Sequence, residues 1–237
     1  MRSALAFLTV FGGASRPDGR TMGWFPVVGL GLGLVLGGVW WAAAEIWPPL
    51  VAAAVVVAAD LALTGLLHID GLADSADGLL PPLVSTDRRL EVMADPVSGA
   101  FAVATVAIAL LLRTAGLASV DAEPLVLGGL WCASRTILAV AALRLPYARE
   151  GGLAADFLDP IGRPSALLLA AGGGVVAVTL LAVADGGRGV GALAATVLAA
   201  AAVLSLGMRR LGGFTGDVLG AAAVTGETAG LLVLAIR

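Results

Sequence analysis

Long apolar stretches alternate with short polar ones along the whole chain. Stretches of roughly 20 residues with little polar interruption lie at 24–47, 50–67, 100–120, 124–143, 164–184, 189–207 and 217–236. An α-helix rises about 1.5 Å per residue, so about 20 apolar residues cross roughly 30 Å of hydrocarbon. The pattern predicts an all-α fold: a polytopic membrane bundle of about seven transmembrane helices, forming a single domain over 1–237. The second stretch is short and carries Asp60, and the sixth is mostly Ala and Val. The opening MRSALAFLTVFGGASR has about ten apolar residues, too few to cross, and predicts a short helix lying at the interface. A cleaved signal peptide is the alternative for that segment. Gly29, Gly33 and Gly37 recur every four residues, which puts them on one helical face and lets another backbone approach closely.

Composition supports this pattern. The chain is 59% hydrophobic and 13% charged, with a mean hydropathy of +0.99, which excludes an ordinary soluble domain. The lone cysteine, Cys132, falls in an apolar stretch and reads as a small buried residue; neither a disulfide framework nor a cysteine zinc site is open to one chain. All fourteen cations are Arg, so a phosphate loop of the GxxxxGK[ST] type is excluded. With the N-terminus cytoplasmic and seven spans, Arg2, Arg16, Arg20, Arg88, Arg89, Arg144, Arg149, Arg163, Arg209 and Arg210 fall on the cytoplasmic side, against Arg188 and Arg237 opposite. That asymmetry is what the positive-inside rule requires. The polar segments 67–99, 144–163 and 208–216 then share one face, where a site can be assembled from all three. Arg113 and Arg135 lie inside apolar stretches, where an unpaired Arg costs at least about 2.5 kcal/mol, so each is expected to face the bundle or a wet cavity rather than lipid. Snorkelling to the nearer interface is the alternative.

The chemistry concentrates in LTGLLHIDGLADSADGL, residues 63–79, which holds three aspartates and the only histidine within ten positions. On a helix Asp70, Asp74 and Asp77 fall at i, i+4 and i+7, on one face. Carboxylates so aligned repel one another and call for a counter-charge. Oxygen-only donors suit a hard divalent cation, Mg²⁺ or Mn²⁺. Glu91 and Asp95 repeat the i, i+4 spacing beside Arg88 and Arg89. Carboxylates for a metal and arginines for phosphate oxygens are the two needs of phosphoryl-type transfer. His68 is a candidate metal neighbour, general base or substrate contact. LRLPYAREGGLAADF adds Arg144, Tyr147 and Arg149. RRLGGFTGDVLG adds two arginines, including Arg210, a glycine-rich turn with Thr215, and Asp217 at the mouth of the last span.

The elements GLLHIDGLADSADGL, RRLEVMADPVSGAF, PYAREGGL and RRLGGFTGDVLGA, in this order, resemble the cobalamin synthase (adenosylcobinamide-GDP ribazoletransferase) family. The opening FLTVF and GWFPVVGLGLG resemble that family's N-terminus, so nearly the whole chain is covered. The resemblance implies a bacterial or archaeal multi-pass enzyme of the cytoplasmic (inner) membrane that depends on Mg²⁺. It joins adenosylcobinamide-GDP to α-ribazole or its 5′-phosphate and releases GMP. It further implies that Asp70, Asp74 and Asp77 hold Mg²⁺ against the diphosphate, that Asp217 completes the site, and that Arg89, Arg135, Arg149 and Arg210 neutralise phosphate oxygens. Partners would be the corrinoid nucleotide, α-ribazole and the bilayer, with other corrinoid enzymes or a second copy as further candidates and no nucleic acid. The chain departs from the pattern at Ala94 and Val97, places that are commonly basic, and at Val224, where a Glu is usual and Glu227 is the nearby acid. Two other readings compete. A CDP-alcohol phosphatidyltransferase shares the logic of membrane aspartates and metal, but Ala73-Asp74 stands where that signature has Ala-Arg. An ion-coupled transporter would place its acids near mid-bilayer and show repeated halves.

Overall fold

The computed structural model describes residues 1–13, 18–82, 85–149 and 163–236. These form helices α1 (Arg2–Leu8), α2 (Phe25–Ala44), α3 (Pro49–Thr64), α4 (Leu67–Leu79), α5 (Thr86–Val92), α6 (Ala100–Ala118), α7 (Pro124–Arg144), α8 (Arg163–Leu211) and α9 (Gly216–Leu234), with a 3₁₀ turn (Thr21–Trp24) leading into α2. The fold is all-α. Local chemistry starts the helices: α2, α3 and α7 carry Pro in their first turn, where its missing N–H costs nothing. Ser85 and Thr215 cap α5 and α9 by accepting from the backbone N–H three residues on.

Among the described residues α2 (with its 3₁₀ turn), α6, α7, α8 and α9 are each long and apolar enough to cross a bilayer. At 49 residues α8 would reach about 73 Å if straight, more than twice the hydrocarbon thickness. It is broken at Asp185 (φ −147°, ψ 30°) and Gly186 (φ 49°, ψ −124°). Beyond the break the chain turns back, so that the Leu181 carbonyl lies 1.8 Å from where a Cβ on Gly189 would stand. Eight residues of straight helix would hold them about 12 Å apart. The two arms occupy the expected fifth and sixth stretches.

The expected second span is not a straight helix through residue 67. α3 stops at Thr64, and Gly65 (φ 57°) and Leu66 (φ 64°) both adopt the left-handed conformation. α4 then leaves at 89° to α3, and the two pass as a span only when taken together. Two successive left-handed residues cannot continue a right-handed helix, and the second is a leucine that disfavours the conformation.

The glycine face of α2 packs on α7. A Cβ on Gly29, Gly33 or Gly37 would stand 2.5 Å from the Trp131 carbonyl, 2.3 Å from the Leu127 carbonyl and 2.6 Å from Pro124 Cα, respectively. α8 flanks α7 and α9, while α4 lies across α9 and α6. Gly71 meets the Asp217 backbone and Gly220 meets that of His68, so small residues on both helices bring α4 against the first turns of α9. The ends sort accordingly. The start of α7, the α8 break and the end of α9 meet around a hollow lined by Val120, Glu123, Asp185 and Leu234. α4, α5, the segment after α7 and the start of α9 gather at the opposite end. Leu8 and Ala4 of α1 are buried in the core at that end.

Two arginines and Glu227 are buried within the bundle, with Asp60 part-buried beside them. Arg113 donates to Asp60 (2.8 Å) and Glu227 (3.1 Å) and lies over the Trp131 ring, 5.1 Å from its centroid. Arg135 pairs with the other Glu227 oxygen, and Ser134 Oγ donates to it at 2.6 Å. Trp131 Nε1 donates to Asp60 at 3.1 Å. Both arginines therefore face the bundle, as the cost of an unpaired cation in lipid requires, and two charges of each sign cancel. Cys132 is buried, its thiol against the Gly173 carbonyl.

A candidate active site at one end of the bundle

The left-handed break after α3 turns α4 so that its first turn faces the interior. His68 is buried, and Asp70, one face further on, is exposed. A second segment comes from the end of α7, where Tyr147 and Phe214 form a short parallel bridge: Ala148 N donates to Phe214 O and Phe214 N to Pro146 O, both at 2.9 Å, and the rings lie 5.3 Å apart. Gly213 is required there, because a Cβ would stand 2.5 Å from the Pro146 carbonyl. The bridge brings Arg149 to the mouth of α9, where its Nη2 donates to Asp217 at 3.1 Å. Thr215, fully buried, caps α9 and lies 3.3 Å from the same carboxylate oxygen.

His68, Asp70, Tyr147, Arg149 and Asp217 line one cavity of about 230 Å³, closed on its other side by Phe7, Leu8, Met22, Phe25, Leu138 and Leu219. Burial holds the Tyr147 phenol above its usual pKa, so it stays a hydrogen-bond donor at neutral pH. His68 Nδ1 is sealed and has no hydrogen-bond partner among the described residues.

Asp74, half-buried one turn beyond Asp70, feels like charge from Asp217, Asp70 and Asp77, with Arg149 opposing them. Four carboxylates thus act on one another here, with Arg149 as the opposing charge. Asp77, on the same face, turns to α6, and its two oxygens accept from Gly99 N (2.5 Å) and Ala102 N (2.9 Å). There it caps the positive end of α6. The expected trio thus shares a helical face without closing into a cage, and among the described residues no three His, Cys, Asp or Glu side chains converge on a cation-sized space.

Other candidates lie apart from the cavity. Arg89 is buried and donates to the Gly78 (2.8 Å) and Pro81 (3.2 Å) carbonyls, closing the C-terminal end of α4. Arg135 sits in the mid-bundle network. Glu91 pairs with Arg88 in the open at 2.9 Å, and Asp95 accepts from Val97 N. Arg210 is exposed, and its carbonyl accepts from Thr86. The apolar wall of Phe7, Met22 and Phe25 carried no polar signal in the sequence. Only the packing of α1 and the 3₁₀ turn against α2, α7 and α8 brings these side chains to the cavity.

The family model for cobalamin-5-phosphate synthase matches residues 1–235. This chain belongs to that family. The adenosylcobinamide-GDP ribazoletransferase of Ectopseudomonas mendocina is 38% identical over 249 residues, covering 99% of this chain and 98% of the relative. Those of Stutzerimonas stutzeri (94% of this chain, 89% of the relative) and Alkalilimnicola ehrlichii (98% and 93%) are each 40% identical. No solved structure matches the chain.

Proposed function

We propose that this family member is an adenosylcobinamide-GDP ribazoletransferase that joins adenosylcobinamide-GDP to α-ribazole, or to its 5′-phosphate, with release of GMP, at the cytoplasmic face of the inner membrane. The observation that carries the chemistry is the meeting of His68, Asp70, Tyr147, Arg149 and Asp217, from three distant segments, around one cavity at one end of the bundle. In the reaction a sugar hydroxyl oxygen attacks the phosphorus nearer the cobinamide. The new O–P bond forms as the bridging P–O bond to the guanosine phosphate breaks, and GMP leaves with the bond's electron pair. The hydroxyl proton passes to a basic side chain of the cavity wall, for which the lining offers His68, Asp70 and Asp217. Arg149, already half-neutralised by Asp217, is placed to meet phosphate charge.

A magnesium cofactor fits this donor set. Mg²⁺ is generally held by one or two carboxylates together with substrate phosphates and water, not by an all-protein cage. Asp74, with Asp70 or Asp217, would hold it. When bound, the ion would supply charge against the developing negative charge on the leaving phosphate. The purified protein should release GMP from adenosylcobinamide-GDP and α-ribazole when Mg²⁺ is present, stop with EDTA and recover on adding Mg²⁺. Turnover that ignores the chelator would remove the metal from the reading.

A further inference from the structure

We propose that the cavity between α1, α4, α7 and α9 is the seat of the acceptor's azole base and ribose, and that the corrinoid nucleotide is held outside it; this rests on the transferase reading above. At about 230 Å³ the cavity is smaller than the roughly 300–1,000 Å³ typical of sites that engulf a drug-sized ligand. A corrin macrocycle with its side chains is far larger than a drug-sized ligand and cannot enter. A nucleoside is the reactant of matching size.

The lining decides between the two nucleosides in the reaction. One lobe is hydrocarbon and aromatic: Phe7, stacked on Phe25 with centroids 5.8 Å apart, together with Leu8, Met22, Leu138 and Leu219. Guanine presents a carbonyl, a ring N–H, an amino group and a ring acceptor along its edges, and burying these against such a wall leaves them unpaired. An azole base has few polar edge atoms, and its flat face suits the aromatic wall. The guanosine also carries a diphosphate, and the polar wall contains Asp70 and Asp217, with Arg149 already paired to Asp217. The two carboxylates suit a sugar's neutral hydroxyls, whereas the partly exposed Arg149 is left to meet phosphate arriving from outside. His68, more than nine-tenths buried, lines the cavity beside Asp70; with its Nδ1 sealed off, Nε2 is the ring nitrogen left to meet a sugar hydroxyl. A base held in the apolar lobe and a ribose against His68 and Asp70 direct the attacking hydroxyl toward Asp74 and Arg149, where a diphosphate would arrive from outside.

Two variants of the full chain in lipid nanodiscs test this: Leu138→Trp, which fills the apolar lobe, and Phe7→Ala, on α1 outside the long helices, which covers the case that the first fails to fold. Each substrate is varied at saturating levels of the other, and α-ribazole alone is titrated by calorimetry. The expected result is a KM for α-ribazole raised about tenfold or more, with the KM for adenosylcobinamide-GDP unchanged within about twofold. Saturable α-ribazole binding should be seen in the wild type and lost in Leu138→Trp. A rise confined to the corrinoid KM, displacement of α-ribazole by GDP, or no α-ribazole binding by the wild type would each overturn the proposal. If the wild type turns over no substrate, the transferase reading fails, and calorimetry then decides the cavity assignment by itself.

Discussion

Asp74 and Glu227 show how differently two acids of one chain can be used. Asp74 is half-buried among three like charges at the end of the bundle, a position that a folded helix would relinquish gladly. Asp74→Asn removes repulsion and should leave the protein folded and inserted while lowering GMP release by at least about 100-fold, or about 2.7 kcal/mol of transition-state stabilisation. Retained turnover would take Asp74 out of the machinery. Glu227 is the reverse case, a buried carboxylate shared by Arg113, Arg135 and Ser134. Glu227→Gln leaves two buried cations with Asp60 as their remaining acid, a type of loss that costs about 3–5 kcal/mol. Thermal unfolding in detergent should show a markedly lower Tm, and an unchanged Tm would mean the network contributes little. The need for such a network was readable in advance, since Arg113 and Arg135 lie in apolar stretches and an unpaired cation there is expensive. The pairing itself was not, because Asp60 and Glu227 are separated from them by 53 and 92 or more positions and no spacing rule links them.

Helices here approach through glycine, and two contacts make that testable. On α2 the four-residue glycine repeat was legible as a packing face, and it seats on the carbonyls of α7. Gly33→Val would thrust a branched side chain into the Leu127 carbonyl. Lower yield of folded protein and a lower Tm in detergent are the expected outcomes, and wild-type behaviour would show that α2 can slide. Gly71 offered no such repeat. A Cβ there would stand 2.8 Å from the Asp217 carbonyl and 3.0 Å from its Cα, so Gly71→Ala should push α4 off α9 by a few tenths of an ångström. Turnover should drop about tenfold or more, because misplacing reacting groups is costly even at small displacements, with Tm altered far less. The bend between α3 and α4 was equally hidden. An apolar run with one glycine reads as continuous helix, and only the demand that His68 and Asp70 meet α9 selects two left-handed residues at Gly65 and Leu66.

For the whole molecule, the arginine distribution implies an orientation, and the fold supplies the matching segregation. The segments rich in Arg gather with the candidate site, away from the end that holds Arg188. A reporter fused within 144–163 should therefore read cytoplasmic. A periplasmic reading would invert the molecule and place the site, and with it the nucleotide chemistry, on the wrong side of the membrane. The segment 150–162 and Arg16 fall outside the described residues, so the assignment leans on Arg2, Arg20, Arg88, Arg89, Arg144, Arg149, Arg163, Arg209 and Arg210.

The sequence alone determined the all-α membrane class, the approximate positions of the helices and the chemical character of the acidic segment. These follow from hydrophobic length and helical period, which are local properties of the chain. Tertiary structure decided which of the marked residues share a site. It drew His68, Asp70, Tyr147, Arg149 and Asp217 to one cavity and turned Asp77 to the start of α6. It set Arg89 on the end of α4 and Arg135 on Glu227. A charged side chain takes whichever opposite charge or unpaired backbone group folding brings near, and that neighbour depends on how distant helices pack, which no local pattern encodes.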